Sequence, residues 1–435
     1  MTRKPAKAPA APAAPAAPAA LAVVAPTGSR ILVASHSHPA LTKGGAEIAA
    51  WRNHEAMTAA PGWQSWFMGC SRELATRAGS VITQPFGPQQ YLYTSTSFDW
   101  FKFANPDPNY PRELKAMLAD VRPDILHFHH YAVFGVETFL HIRAALPQSK
   151  IVLTLHEFQA ICNHYGQMVT RGRLELCDAS GLRECNRCFP EISRADFFLR
   201  QTYARRFLDL VDHFVAPSRF LADRYIAWGL DPARVSVIEN ITAPGTLAPQ
   251  PAIAGPRLRI GFFGQISWLK GIKVLLDAAA LLEADDNNEV QFDIHGDDAS
   301  QPEEFRADFA AHLKSAGRNV RFHGAYDNRK VDRLMQGVDA VLLPSIWWEN
   351  SPVVIQEALR NRRPVICSDI GGMAEKVRDG IDGLHVPVGN AAALADLLAA
   401  LAHDRTRLAA LSPPFTPDDH AAAHRALYER LRSEA

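Results

Sequence analysis

Short apolar runs alternate with stretches of helical periodicity along this chain, stop at a proline-rich segment, and then start again. The first series reads "RILVASHS" (Arg30–Ser37), "WQSWFMGC", "DILHFHH", "IVLTLHE", "HFVAPS" and "VSVIEN"; after "TAPGTLAPQPAIAGP" (Thr242–Pro256) the second reads "LRIGFFGQ", "VQFDIHGDD", "VRFHGAY", "AVLLPS", "PVICSD" and "GLHVPV". Runs that are apolar throughout are those of strands covered on both faces, and strands alternating with helices make parallel sheets. The pattern therefore predicts an α/β chain of two doubly wound, Rossmann-like domains facing a cleft, with a boundary near Pro251. Ligands of such sheets lie beyond the carboxyl ends of the strands, so the chemistry is expected on the loops that follow them.

The 435 residues exceed what one core fills, at about 150 residues per domain. The expected units are residues 29–245, with a cysteine-bearing insertion at 160–192, then residues 250–412, and a helix over 413–435. Residues 1–28, rich in Ala and Pro, read as a disordered tail, because repeated prolines break the helix that an export signal would need. Lys plus Arg and Asp plus Glu number 46 each, so the balanced charge argues against a nucleic-acid partner and leaves any anionic ligand to local groups. With no apolar stretch of the roughly 18 residues a spanning helix needs, the expected location is the cytoplasm.

One loop concentrates chemistry. In "ENSPVVIQEAL" (Glu349–Leu359) two carboxylates stand eight positions apart, around a Ser-Pro pair that suggests a helix start with Ser351 as N-cap and Pro352 at the first helical position. Free N–H groups at such a start favour a diphosphate, and ionised carboxylates accept hydroxyl hydrogen bonds. Spacing alone equally describes a solvated loop residue and a surface helix residue. Lys270, before Gly271, is a point charge suited to a phosphate oxygen. "HFHHY" (His127–Tyr131) closes a strand, so His127 and His129 share a face.

With "KGGAE", "FFGQISWLKG", "FDIHGDD", "VRFHGAY" and "PVICSDIGGMAEKVRDGIDGLHV" in this order, the E-x7-E loop resembles that of retaining glycosyltransferases of the GT-B architecture, in particular glycosyltransferase family 4. The resemblance implies transfer of a hexosyl unit from a nucleoside diphosphate sugar to a hydroxyl acceptor, polysaccharide or glycolipid, with retention of configuration. It implies that Glu349 meets the donor sugar, Glu357 the ribose, and the backbone of Ser351, Pro352 and Val353 the diphosphate. It further implies that Lys270 stabilises the leaving group, that Gly44 and Gly45 approach donor phosphate or acceptor, that His129 reaches the transferred sugar, and that His156 lines the acceptor side. Where the family usually carries an arginine this chain has Gln265, which donates a hydrogen bond without a charge. Family members often work at the inner membrane face, which implies peripheral association, although no basic amphipathic anchor stands out. A nucleotide-sugar epimerase of similar fold and an inactive sugar-binding protein are the alternative readings.

Cys162, Cys177, Cys185 and Cys188 form C-x14-C-x7-C-x2-C, whose closing pair has the spacing of zinc thiolates. A structural zinc site is the leading expectation; a redox pair, an iron–sulfur site and reduced core cysteines are the alternatives. No Asp-x-Asp triplet is present to hold a cation on a nucleotide, Asp297 and Asp298 being adjacent, so no catalytic metal is expected.

Overall fold

The computed structural model describes residues 28–42, 44–73, 79–242, 248, 255–285, 289–411 and 419–434. The Ala/Pro tail up to residue 27 and the expected boundary at Pro251 lie outside these residues. Two sheets are present, and each apolar run named above supplies one strand.

The first sheet contains β1 (Ser29–Ala34), β2 (Trp63–Ser71), β3 (Ile82–Thr83), β4 (Gln90–Thr94), β5 (Ile125–Phe128), β6 (Lys150–Thr154), β7 (His213–Ala216) and β8 (Val235–Val237). Its order is β3-β4-β2-β1-β5-β6-β7-β8, parallel except for the antiparallel edge pair β3 and β4. The second sheet contains β9 (Leu258–Phe263), β10 (Val290–His295), β11 (Val320–Gly324), β12 (Ala340–Leu343), β13 (Val365–Ser368) and β14 (Gly383–Val386), in the all-parallel order β11-β10-β9-β12-β13-β14. Both are doubly wound. The winding reverses between β1 and β5 in one sheet and between β9 and β12 in the other, and those reversals open the crevices in which ligands settle.

Local sequence accounts for how helices cover the sheets. In the helix Ile272–Ala284, Ile272, Leu275, Leu276, Ala279 and Leu282 recur at helical spacing, and all are buried against the second sheet's core. The last helix, His420–Ser433, is capped by the Asp419 carboxylate accepting from the Ala422 N–H. Its stripe of His424, Leu427, Tyr428 and Leu431 docks on the first domain, where Leu427, Tyr428 and Leu431 join Ile31, Val33, Trp63 and Phe67 in one buried cluster. Burial of each such apolar side chain contributes about 1.5–3 kcal/mol, so this helix straps the C-terminal end of the chain to the N-terminal domain. Under the strap, Asn53 Nδ2 donates to the Tyr428 hydroxyl at 2.7 Å, Tyr428 lies 2.6 Å from His127 Nδ1, and His127 Nε2 lies 2.7 Å from Thr154 Oγ1. These bonds occupy both nitrogens of His127 in structure.

Candidate active site

The second domain builds its half of the site across the reversal between β9 and β12. After β9 the chain turns through Gly271, whose φ of 76° suits glycine and whose missing Cβ lets the turn lie against the Pro344 carbonyl beyond β12. That approach brings Lys270 Nζ to 2.6 Å from Glu349 Oε1. The same oxygen accepts from Ser345 Oγ and from Trp347 Nε1, each at 2.9 Å, and Lys270 Nζ stands 5.4 Å from the centre of the Trp347 indole. Glu349 is 6 % exposed, and its own carbonyl accepts from the Gly372 N–H at 2.7 Å. A buried carboxylate held by three donors is a fixed, oriented acceptor beside a fixed cation.

Glu357 sits on the helix Val353–Arg360 and is 7 % exposed. Burial pushes its carboxyl up to about 7, with Arg360 and a hydrogen bond from Asn328 only partly opposing the shift. The helix begins one residue later than the sequence suggests. Pro352 occupies the cap, and the Ser351 hydroxyl, expected to be the cap, donates instead to Glu239 Oε1 of the first domain at 2.7 Å. Ser351, Pro352 and Val353 are half-buried at this helix start. Gln265, exposed after β9, donates to Ser300 Oγ at 2.5 Å.

The first domain's half lies at the ends of three neighbouring strands. His36 follows β1, His129 and His130 follow β5, and His156 and Glu157 follow β6. His129 Nδ1 is 3.0 Å from His156 Nε2, while His129 Nε2 is buried without a partner. Burial drives the His129 imidazole well below its ordinary range and His156 to about 3, so both rings are neutral. Sequence reasoning missed the histidine–carboxylate contacts around them: His36 Nε2 to Glu47 Oε1 at 3.3 Å, and His130 Nε2 to Glu157 Oε1 at 3.2 Å. The signal was visible in polar residues closing each apolar run. Gly44 caps the helix Gly45–Ala59, but neither Gly44 nor Gly45 adopts the positive φ that a Gly-Gly pair suggests. A Cβ on Gly44 would collide with the Glu47 carboxylate, whereas one on Gly45 would meet open space, so the two glycines serve different needs.

The halves touch through the Glu349 loop. Asn350 Nδ2 donates to the His156 carbonyl, Trp348 Nε1 to the Cys177 carbonyl at 3.1 Å, and Lys376 pairs with Glu239. The Glu375 carboxylate also accepts from the Arg219 and Phe220 N–H groups, each at 2.8 Å, capping a first-domain helix from across the cleft.

The four clustered cysteines do not form the expected zinc site. Among the described residues no group of three or more His, Cys, Asp or Glu side chains is arranged to hold a metal. All four are free, and their sulfurs are engaged locally: Cys177 Sγ donates to the Ala179 carbonyl and Cys188 Sγ accepts from the Arg171 N–H, each at 3.3 Å. Burial holds the Cys162 thiol up at about 11, which favours its protonated form. No helix among the described residues is long and apolar enough to cross a membrane.

Comparison with known proteins agrees with the geometry. The family model described as Glycosyltransferase Family 4 matches residues 43–242, and that described as Glycosyl transferases group 1 matches residues 246–413. The chain is 30 % identical over 165 residues to a phosphatidyl-myo-inositol mannosyltransferase of Mycobacterium leprae, a match covering 38 % of this chain and 41 % of that protein. A D-inositol 3-phosphate glycosyltransferase of Nocardia farcinica is 34 % identical over 153 residues, or 34 % of each chain, so less than half of either relative is matched. A D-inositol 3-phosphate glycosyltransferase of Mycolicibacterium vanbaalenii is 28 % identical over 369 residues, covering 76 % of this chain and 74 % of that one. In fold the chain is similar to sucrose-phosphate synthase from Thermosynechococcus elongatus, with a TM-score of 0.67, 18 % identity, and 94 % and 100 % of the two chains covered. It is also similar to Anabaena HepE solved with UDP and glucose, with a TM-score of 0.61, 16 % identity, and 93 % and 98 % covered. These likenesses identify the two facing domains as the GT-B architecture.

Proposed function

The chain belongs to the family 4 glycosyltransferases, and from that premise we propose that it moves a hexosyl unit from a nucleoside diphosphate sugar to a hydroxyl acceptor, with retention of configuration. The observation that carries the reading is the pairing of Lys270 with Glu349 across the reversal of the second sheet, next to a helix start. In this reading the donor diphosphate takes the Lys270 ammonium and the free N–H groups before Val353, where a helix terminus and a cation both favour negative charge. The Glu349 carboxylate accepts from hydroxyls of the hexose, and Glu357 from those of the ribose. Gln265 adds a neutral donor where a second cation is usual, so charge developing on the leaving group falls chiefly to Lys270.

The acceptor enters from the first domain, whose strand-end histidines face the Glu349 loop. His129 offers its unpartnered Nε2 to a sugar hydroxyl. The departing phosphate helps to remove the acceptor proton on the face where the new bond forms, which needs no protein nucleophile and delivers retention. A nucleotide donor is further supported by the UDP and glucose of the Anabaena neighbour. The test is a thermal-shift panel of nucleoside diphosphates and nucleotide sugars against wild type and Glu357→Ala, because a ligand of the folded state raises stability by mass action. Stabilisation by one nucleotide that vanishes in the variant is expected; no shift with any nucleotide would refute the reading.

A further inference from the structure

Among the described residues, the first-domain half of the cleft carries carboxylates where an anionic acceptor would need cations. Resting on the glycosyl-transfer reading, we propose that the acceptor is an uncharged polyol, a sugar or cyclitol hydroxyl, and that the site rejects the phosphomonoester of the same compound. The groups form a row, Glu47–His36–His130–Glu157. Both ends are carboxylates, and the two imidazole rings between them have centroids 4.6 Å apart.

Hydrogen bonding fixes the protons along that row. The Ala132 N–H donates to His130 Nδ1 at 2.8 Å, so His130 carries its hydrogen on Nε2 and presents it to Glu157. Glu47 accepts from Thr42 Oγ1 at 3.0 Å and lies 3.3 Å from His36 Nε2, which leaves His36 Nδ1 as a bare acceptor. Burial drives His36 to about 2, so that ring brings no positive charge. Among the described residues the only basic side chain within ion-pair distance of each carboxylate is one of these imidazoles. The buried guanidinium that influences Tyr131, that of Arg200, is committed to the carbonyls of Gln159 and Ala160.

The site's unmet demands are those of hydroxyl groups. His36 Nδ1, His129 Nε2 and the Tyr131 hydroxyl are buried without partners, and His129 and Tyr131 are only 2 % and 3 % exposed. His129, His130, Tyr131, His156 and Glu157 line one cavity. Hydroxyls can donate to a bare imidazole nitrogen and a carboxylate and accept from a phenol; a phosphate offers acceptors alone and sets its charge against Glu157 and Glu47. Lys43, which precedes Gly44, lies outside the described residues and is therefore included in the test.

The experiment pairs uncharged acceptors with their phosphomonoesters: myo-inositol with inositol 3-phosphate, glucose with glucose 6-phosphate, and N-acetylglucosamine with its 6-phosphate. Release of nucleoside diphosphate from the donor found by thermal shift is measured for wild type, Glu47→Gln, Glu157→Gln and Lys43→Ala. The uncharged member of a pair is expected to be preferred by about a hundredfold, on the scale that like-charge juxtaposition costs. Neutralising Glu157 or Glu47 should narrow that preference, a change that mere loosening of the fold would not produce. A wild-type preference for the phosphorylated member, whether or not it depends on Lys43, overturns the inference. Failure of every nucleotide to bind would instead remove the underlying glycosyl-transfer reading.

Discussion

Glu357 is the group whose protonation should govern donor binding near neutral pH. Its carboxyl is held at about 7 instead of the ordinary 4.5, chiefly by burial, so about one tenth is ionised at pH 6 and about nine tenths at pH 8. A carboxylate accepts from both ribose hydroxyls, whereas a carboxylic acid has surrendered part of its acceptor capacity. If the ionised form alone binds well, donor affinity should strengthen about tenfold from pH 6 to pH 8. Titration calorimetry with a nucleotide sugar is the assay of choice, because its diphosphate diester does not titrate in that window, unlike a free nucleoside diphosphate. Glu357→Gln should bind more weakly and flatten the profile.

The ligand-free protein should respond in the opposite sense. A carboxyl whose folded-state value is raised contributes stability that is fully present below about 4.5 and lost as pH rises through about 7. From pH 8 to pH 6 this group should add roughly 1.4 kcal/mol to folding stability while donor affinity falls. Equal pH slopes for wild type and Glu357→Gln, or tighter donor binding at pH 6, would refute the assignment. The opposed signs separate a titrating ligand contact from a general effect of pH on the fold.

Lys270→Ala should lower kcat by about 10²–10³-fold, the usual worth of one oriented donor to a developing anion, with a smaller change in donor affinity; steady-state kinetics separate the two. Gly271→Ala combines a positive φ with a Cβ pressed on the Pro344 carbonyl and should cost about 2 kcal/mol or more, whereas Gly45→Ala, facing open space, should change stability by less than about 0.5 kcal/mol in denaturant melts. Tyr428→Phe removes the hydroxyl that bonds both Asn53 Nδ2 and His127 Nδ1, leaving those two groups only their 3.1 Å contact with each other, and should cost about 1–3 kcal/mol, read as a lowered melting temperature.

How far the sequence could be read depended on the range of the interaction concerned. Most strands were legible as short apolar runs, but the edge strands β3 and β4 were not foreseen and β11 is largely exposed; Lys270 and Glu349 drew notice because each lies in a loop after such a run. What needed coordinates was competition between distant groups. Ser351 has the sequence context of an N-cap, yet Glu239, 112 positions earlier, takes its hydroxyl, and the helix starts one residue on. The cysteine spacing suits zinc, but spacing does not fix where thiols point, and two of the sulfurs here face backbone groups. The last helix was expected from the sequence without a docking partner, which proved to be the far domain. Glu47 and Glu157 escaped notice because each acquires its meaning from a histidine on another element.

The loop from Trp348 to Ser351 belongs to both halves of the site. Its Glu349 side chain is fixed by Lys270, Ser345 and Trp347, all in the second domain, while its neighbours Trp348, Asn350 and Ser351 bond to Cys177, His156 and Glu239 in the first. His156 in turn meets His129, so a single hydrogen-bonded path runs from the proposed donor site to the proposed acceptor site. Apart from Trp348, whose ring lies tilted 5.1 Å from that of Phe220 and 4.9 Å under the Arg224 guanidinium, the named links across the cleft are hydrogen bonds and ion pairs. Polar links exchange for water at small net cost, about 0.5–1.5 kcal/mol each, so the domains can part and rejoin without sacrificing either core. A donor that drew Lys270 from Glu349 would act on the same short loop that holds the acceptor half in place, which would tie occupancy of one half to the geometry of the other.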